Sequence, residues 1–196
     1  MENQKMRKVI LSTNVTLDGF IEGPNGELDW MMMDEEIWKE VKALLSTVDT
    51  TLFGRVTYQG FESYWSSVPA NPESPKGEVE FAHWIEKTSK IVFSKTLEKA
   101  EWNNSRLVKE NIAEEISKLK GQPGKDILMF GGAGIVQTFM RLGLIDDYRI
   151  NIYPIVLGSG ISLFKNFEDR MNFKLLEIKT FNSGVVGLHY QPDKKE

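Results

Sequence analysis

The sequence predicts an α/β fold with a mixed, mostly parallel sheet, flanked by helices and completed by a C-terminal antiparallel hairpin. Short apolar runs alternate with helical periodicities along most of the chain, and parallel strands need such crossover helices between them. Two further strand segments, 173–180 and 185–190, flank the turn sequence at Asn182 and predict the hairpin. A length of 196 residues without repeats predicts a single domain over 1–196, with its core at about 7–191.

Between residues 9 and 93, apolar runs of strand length alternate with segments of helical periodicity. Asp34 is a residue type that caps helix N-termini, and apolar residues follow it at helical spacing. Residues 15–30 carry several glycines and predict a loop, and the prolines within 69–75 predict an exposed connector. The predicted strands are 9–14, 49–53 and 90–93; the predicted helices follow Asp34 as far as Leu45 and occupy 55–63 and 78–86.

The second half of the chain continues this alternation. A helix striped by Ile112, Ile116 and Leu119 should end at Gly121, where a glycine and a nearby proline stop it. The apolar run 127–130 predicts a buried strand. The remaining predicted elements are a helix from about Ala133 that includes 135–142 and stops at Gly143, and a strand over 147–152.

The composition excludes several classes of function. The net charge of −4 gives no basic field for binding nucleic acid. The chain has no cysteine, which excludes disulfides, thiolate metal sites and a cysteine nucleophile, and suits a reducing cytosol. No apolar run approaches the length of a membrane span or a signal peptide. We therefore expect a cytoplasmic protein that acts on a small molecule, without a metal, a membrane or a nucleic acid as partner.

Glycine turns at the ends of two predicted strands indicate a phosphate-binding edge. Gly131, Gly132 and Gly134 follow the strand at 127–130, permit positive φ and close backbone approach, and precede a helix whose free N–H groups favour an anion. Gly54 follows another strand and precedes Arg55 and Thr57 at a second helix start. Either turn alone is equally consistent with a tight strand-to-helix connection.

A third strand end carries Ser94 and Lys95. Because the carboxyl ends of parallel strands share one edge of a sheet, the three ends together predict a ligand with several phosphates. The cations and hydroxyls of Arg55, Ser94 and Lys95 suit a 2′-phosphate, whereas a free ribose usually meets an acidic residue. We therefore expect NADPH rather than NADH; a surface salt bridge at Arg55 and a solvated strand end at Ser94 are the alternatives.

In these motifs the chain resembles the dihydrofolate reductase superfamily, and most of all the C-terminal reductase domain of the bifunctional deaminase–reductase of riboflavin biosynthesis and its stand-alone relatives. Six matching segments occur in the family's order from Val9 to about Tyr190. They are 12–21, 28–30, 53–58, 91–95, 129–134 and 153–160. The resemblance implies an NADPH-dependent reductase that transfers a hydride to a small C=N or C=O substrate, and a homodimer with 153–157 and the terminal strands as candidate contact surfaces.

The resemblance also assigns cofactor-binding positions to this chain. One side of the pyrophosphate would lie on the glycine turn before the last crossover helix and the other on the turn before the second helix, with the nicotinamide beside the first strand. The residues so implied are Asn14, Ile21, Gly54, Arg55, Thr57, Ser94, Lys95, Gly131, Gly132, Ala133, Gly134 and Ile135.

The proton donor is not fixed by the sequence. Hydride transfer to C=N or C=O requires a proton on the heteroatom, usually from a carboxylic acid or a water. In the dihydrofolate reductases that the chain resembles, the acidic residue lies in the first helix, about one turn beyond a tryptophan. The matching tryptophan in this chain is Trp30, and counting from it selects Glu35 or Glu36. Acidic residues also stabilise a first helical turn through the dipole alone. Asp18 is interpreted first as a turn former beside Gly19, and only second as a catalytic candidate.

The substrate side is the least specified part of the sequence. We expect the substrate near Trp30 and near Leu157, Gly158 and Gly160. The resemblance implies a ribityl or ribosyl phosphate near the substrate pocket, and successive amides in 157–160 are a second candidate anion site for it. A flexible turn after the strand explains these residues at least equally well. No arginine stands near Thr88, where folate reductases hold the substrate's tail, so folate is disfavoured. A nucleotide-binding protein without turnover and a dihydrofolate reductase remain the alternative functions.

Overall fold

The computed structural model describes residues 6–165, 167 and 169–193. The outer ends of the predicted domain, 1–5 and 194–196, lie outside the described residues. The strands are β1 Val9–Thr16, β2 Phe20–Glu22, β3 Val48–Gly54, β4 Ser89–Phe93, β5 Ser105–Val108, β6 Asp126–Met129, β7 Asp147–Tyr153, β8 Ile161–Ser162, β9 Phe173–Thr180 and β10 Val186–Pro192. The helices are α1 Glu35–Ser46, α2 Arg55–Trp65, α3 Lys76–Lys87, α4 Ile112–Lys120 and α5 Ala133–Arg141.

The sheet confirms the predicted α/β class. Its eight strands lie in the order β5-β4-β3-β6-β1-β7-β10-β9, and every neighbouring pair from β5 to β7 is parallel. The predicted C-terminal hairpin of β9 and β10 joins β7 antiparallel and forms one edge of the sheet. Its turn contains Gly184 at a φ of +83°, a conformation that favours glycine. A separate two-stranded sheet pairs β2 with β8.

Four short elements of the described residues were not predicted from the sequence. Strand β5 has four residues at the sheet edge, and β2 and β8 have three and two, which is too short to show a periodicity. A 3-10 helix, Val68–Ala70, lies in the predicted proline connector. The predicted loop 15–30 contains the end of β1 and all of β2, so that prediction was wrong at 15–16 and at 20–22.

Both faces of the central sheet are covered, which explains why its strands read as continuous apolar runs. Along β6, Ile127 and Met129 face one apolar cluster that includes residues of α4 and α5. Leu128 faces the other, which includes residues of α1, α2 and α3. At the start of α1, the Asp34 carboxylate accepts a hydrogen bond of 2.8 Å from the Ile37 amide, as the predicted N-cap requires.

A buried lysine fastens the α3–β4 junction. The Lys90 ammonium donates to the carbonyls of Glu86, Thr88 and Asn103 at 2.9–3.2 Å, and it lies 4.4 Å from the centre of the Trp102 ring. Burial lowers the pKa of Lys90 to about 8, so the charged form still predominates at neutral pH. All three ammonium protons therefore have acceptors.

Replacing this lysine should destabilise the fold. Lys90→Met keeps the length of the side chain but removes a buried ammonium and its three hydrogen bonds to carbonyls, so we expect the free energy of unfolding to fall by about 3 kcal/mol. Urea unfolding followed by circular dichroism measures this change. The exposed Lys87→Met is the matched control, and an equal effect of both variants would contradict a structural role of the Lys90 ammonium.

Candidate functional site

Two helices begin at adjacent strand ends on the carboxyl edge of the sheet. Strands β3 and β6 are parallel neighbours, with Leu52 opposite Met129. Gly54 ends β3 and is the N-cap of α2, while Gly132 follows β6 and is the N-cap of α5. Neither helix has a side-chain cap. The edge therefore presents two neighbouring helix N-termini, each with the partial positive charge that favours an anion.

A hydrogen bond joins these two turns. The Gly132 amide donates to the Thr57 hydroxyl oxygen at 2.9 Å, across 75 residues of sequence. Because this oxygen acts as the acceptor, the hydroxyl proton of Thr57 remains available to another acceptor. The two predicted cofactor turns are thus one structural unit.

Two glycines in these turns, Gly54 and Gly131, allow a helix side chain to pack closely on the backbone, and neither adopts a positive φ. A Cβ atom at Gly54 would lie 3.0 Å from the Ile135 side chain, and one at Gly131 would lie 2.9 Å from it. A Cβ at Gly134, by contrast, would meet nothing within 4 Å. Neither Gly131, Gly132 nor Gly134 has positive φ, so the predicted use of that freedom was wrong. At Gly54 and Gly131 the missing side chain lets Ile135 pack closely on the backbone, while a close approach of these turns to a phosphate stays a prediction.

The third strand end lies beside α2. Arg55 is exposed, donates to the Gln59 side chain at 3.1 Å, and lines a surface depression with residues 96–99. The Ser94 hydroxyl oxygen accepts from the amides of Thr96 and Leu97 at 3.2 and 3.0 Å, which fixes the turn after β4. Lys95 is exposed in this turn. The predicted Arg55 and the loop after β4 therefore share one surface.

Asp18 fastens two loops on the other half of the edge. Its carboxylate accepts from the Thr16 hydroxyl at 2.6 Å and from the amides of Leu157 and Gly158 at 3.3 and 2.8 Å. These hydrogen bonds, that of Thr16 above all, lower the pKa of Asp18. A carboxylate held in its ionised form is a poor proton donor, and Gly19 beside it has the positive φ expected of a turn.

The same contacts change the interpretation of the second candidate anion site. Two of its amides, at Leu157 and Gly158, already donate to Asp18. A Cβ at Gly160 would lie 2.2 Å from the Glu22 carbonyl oxygen, so this glycine is required where β8 meets β2. Gly160 therefore permits the close approach of β8 to β2, and the amides of Leu157 and Gly158 bind a carboxylate of the chain itself.

The two glutamates proposed as proton donors lie in the first turn of α1. Both are exposed. The Glu36 carboxylate accepts from the Asn182 amide at 2.9 Å and connects α1 to the turn of the β9–β10 hairpin. Glu35 lines a groove between α1 and α3, together with Trp38. The two carboxylates therefore lie against different parts of the structure, Glu36 at the hairpin turn and Glu35 in the groove beside α3. Their catalytic role stays a prediction.

The expected nicotinamide and substrate residues lie around the end of β1. Asn14 accepts from the Asn151 amide group at 3.0 Å, and Ile21 is buried. Trp30 is 9% exposed and contacts Tyr153 edge to face at a centroid distance of 5.3 Å. Among the described residues, the Trp30 indole N–H has no hydrogen-bond partner.

Sequence reasoning missed Asn151 and Tyr153 in this region. Burial raises the pKa of Tyr153 to about 12, and its hydroxyl donates to the Met32 carbonyl at 3.0 Å. Asn151 stands opposite Asn14 in the parallel β1–β7 pair. In the sequence, Asn151 is a polar residue between Ile150 and Ile152, and this signal becomes informative only with the strand register.

The order of the sheet and the paired glycine turns define a dihydrofolate reductase-like fold. Dihydrofolate reductase from Enterococcus faecalis superposes with a TM-score of 0.62 at 14% identity, over 95% of this chain and 97% of that one. A putative riboflavin biosynthesis protein from Shewanella sp. PV-4 superposes with a TM-score of 0.76 at 23% identity, over 95% and 99%. Identities this low show the shared fold alone.

Residues 7–187 match the family described as the RibD C-terminal domain, and the chain belongs to that family. The Bacillus subtilis protein YyaP, described as uncharacterized, is 43% identical to this chain over 188 residues, which are 96% of each protein. These findings confirm the resemblance predicted from the sequence motifs.

Two negative observations apply to residues 6–165, 167 and 169–193. No helix there combines the length and apolar character needed to cross a bilayer. No group of three or more histidine and acidic side chains there is arranged to hold a metal ion.

Removal of the Asp18 carboxylate should release the loop at 157–158. We expect Asp18→Ala to accelerate hydrogen exchange of the Leu157 and Gly158 amides, with little change for the nearby variant Asp29→Ala. The pKa of Asp18 in the folded protein is lowered from the ordinary value of 3.8, so the carboxylate keeps these contacts above pH 3.8. The contacts are lost as the pH falls through the lowered pKa of the folded protein. Unchanged exchange at both amides in Asp18→Ala would rule out this role.

Proposed function

We propose that the protein is an NADPH-dependent reductase that transfers a hydride to a small C=N or C=O substrate. The observation that carries the proposal is the Thr57–Gly132 hydrogen bond, which unites two uncapped helix N-termini into one cradle at the carboxyl edge of the sheet. Membership of the RibD C-terminal domain family supports the same reaction class.

The residues of the cradle fit a dinucleotide pyrophosphate. A Cβ at Gly134 would meet nothing within 4 Å, so the α5 N-terminus is open there to an anion. At Gly132, a Cβ would lie 3.3 Å from the Thr57 hydroxyl oxygen and 3.8 Å from a carboxylate oxygen of Glu22. In this proposal the amides at the start of α5 bind one phosphate, and the free proton of the Thr57 hydroxyl donates to the other.

The preference for NADPH rests on the surface beside α2. Arg55, with Lys95 and Lys99 in the loop after β4, supplies cations for a 2′-phosphate. Glu98 and Glu101 also line that depression, so Arg55 has to read the phosphate by direct contact rather than through a uniformly positive field. Arg55 is the residue whose removal should distinguish the two nicotinamide cofactors.

The chain's own part in the reaction is binding and orientation. When bound, the reduced nicotinamide supplies the hydride. Asn14 and Ile21 would hold the ring at the end of β1, and the apolar cluster around Trp30 and Tyr153 would exclude water from one side. Since Asp18 is held ionised, Glu35 and Glu36 remain the candidate proton donors. A nucleotide-binding protein without turnover is the rival, and steady NADPH oxidation with an imine or carbonyl substrate would reject it.

Calorimetric titrations with NADPH and NADH test the cofactor assignment. We expect wild-type protein to bind NADPH in the micromolar range and NADH more weakly. Arg55→Ala should weaken NADPH binding about tenfold or more and NADH binding little, because a charge-assisted contact with the 2′-phosphate contributes about 1.5–3 kcal/mol. Lys118→Ala on α4 controls for the change in net charge. Equal losses for both cofactors would show that Arg55 does not read the 2′-phosphate.

Thr57 provides a test of the cradle itself. Thr57→Val is nearly isosteric but removes both the acceptor for Gly132 and the proposed phosphate donor, so NADPH affinity should fall about tenfold or more. Thr57→Ser retains the hydroxyl and should bind NADPH like the wild type. A Val variant that binds normally would exclude the proposed position of the pyrophosphate.

We also propose a homodimer that uses the edge of the C-terminal hairpin. Strand β9 is an eight-residue edge strand, and Leu175, Leu176 and Ile178 on it are 42%, 42% and 57% exposed. Long apolar edge strands favour pairing with another chain. Light scattering should give twice the chain mass of 22.4 kDa, and Ile178→Lys should shift it towards the monomer. A monomeric wild type would reject the dimer.

A further inference from the structure

The Glu22 carboxylate lies beside the proposed pyrophosphate cradle. A Cβ atom at Gly132, the N-cap of α5, would lie 3.8 Å from one carboxylate oxygen of Glu22 and 3.3 Å from the Thr57 hydroxyl oxygen. The other carboxylate oxygen would lie 3.9 Å from a Cβ at Gly26, in the loop that follows β2. The carboxylate is therefore close both to the start of α5 and to that loop.

The backbone of Glu22 is fixed where β2 meets β8. Glu22 pairs with Ile161, and its carbonyl oxygen would lie only 2.2 Å from a Cβ at Gly160, so the two strands approach closely there. The preceding residue, Ile21, is buried in the apolar cluster that includes residues of α4 and α5. The position of Glu22 beside the cradle is thus set by the packing of β2.

The Glu22 carboxylate has no partner within residues 6–165, 167 and 169–193. The side chain is partly buried, and none of the hydrogen bonds and ion pairs among those residues involves it. The nearby carboxylates of Asp18 and Glu27, by contrast, accept hydrogen bonds from backbone amides at 2.8 Å. A partly buried carboxylate loses hydration, so a hydrogen-bond donor on a ligand would stabilise it.

A ribose hydroxyl suits this carboxylate better than a phosphate, because two neighbouring anions repel each other. In the proposed cofactor site, the nicotinamide lies beside Ile21 and the pyrophosphate lies at Gly132 and Thr57. A ribose with two hydroxyl groups connects these two parts of a nicotinamide dinucleotide. Glu22 follows Ile21 in β2 and reaches Gly132, so its carboxylate lies beside the path of that ribose.

We propose, on the basis of the proposed function, that Glu22 accepts hydrogen bonds from the hydroxyls of the nicotinamide ribose and so positions the reduced ring. The carboxylate then has the donors that the chain does not supply, and its charge faces neutral hydroxyls. Hydrogen bonds to an ionised acceptor are short and strong. Acidic residues bind a free ribose in the same way in other dinucleotide sites.

A purely structural role of Glu22 predicts the opposite change in affinity. A carboxylate beside a helix N-terminus stabilises the helix through its dipole. In that role Glu22 would compete with the incoming phosphate, so its removal should strengthen NADPH binding. The direction of the change in NADPH affinity therefore distinguishes the two roles.

Calorimetric titration of Glu22→Ala with two ligands tests the proposal. NADPH contains the nicotinamide ribose, whereas adenosine 2′,5′-bisphosphate contains only the adenosine half. We expect NADPH binding to weaken about tenfold or more, because charge-assisted hydrogen bonds are lost, and adenosine 2′,5′-bisphosphate to bind as it does to the wild type. Equal weakening for both ligands, or NADPH binding that is unchanged or tighter, overturns the proposal.

Two further variants isolate the carboxylate. Glu22→Gln keeps one acceptor oxygen and should recover part of the NADPH affinity that Glu22→Ala loses. Asp29→Ala makes the same change in net charge at an exposed site in the loop after β2, and it should bind NADPH like the wild type. Equal losses in Glu22→Ala and Asp29→Ala would assign the effect to net charge and contradict a local contact.

An NADPH analogue without the two hydroxyls of the nicotinamide ribose identifies the group that Glu22 contacts. The analogue should bind the wild type more weakly than NADPH does. Glu22→Ala should weaken its binding by less than about twofold, because the contact is already absent. A loss with the analogue as large as the loss with NADPH places the contact elsewhere on the cofactor and refutes the assignment to the ribose.

The titration of wild-type protein separates this inference from the proposed function. If NADPH does not bind, the proposed function fails and the inference fails with it. If NADPH binds equally well to the wild type and to Glu22→Ala, only the inference fails, and the cofactor assignment stands.

Discussion

The parallel pairing of β6 between β1 and β3 is the constraint on which the rest of the site depends. Parallel strands end at the same edge, so this one arrangement brings the starts of α2 and α5 together although 75 residues separate Thr57 from Gly132. The hydrogen bond between those two residues is possible only because the strands carry them there. The missing side chains at Gly54 and Gly131 then allow Ile135 to pack directly on the turns.

The two halves of this edge differ in whether their amides already have a partner. On one half, a Cβ at Gly134 would meet open space at the start of α5, which supports the proposed cofactor site. On the other half, the Asp18 carboxylate binds the amides of Leu157 and Gly158, which would otherwise attract an anion.

Much of the fold follows from local sequence signals. The strand at Ile127 to Phe130, the cap at Asp34 and the turn before Val185 were predictable because burial, capping and turn formation depend on neighbouring residues. The short strands β2, β5 and β8 were not, since their pairing depends on partners far along the chain. The φ angles of Gly131 and Gly132 were also mispredicted, because close packing against a helix and a left-handed turn both select glycine.

The sequence by itself determined the family, the order of most strands and helices, and the set of residues that reach the carboxyl edge. Only the tertiary structure decided which of those residues contact one another. It joined Thr57 to Gly132, and it placed Asp18 on the amides of Leu157 and Gly158. The physical reason is that hydrogen bonds between distant segments depend on strand order and register, which the periodicity of each segment does not encode.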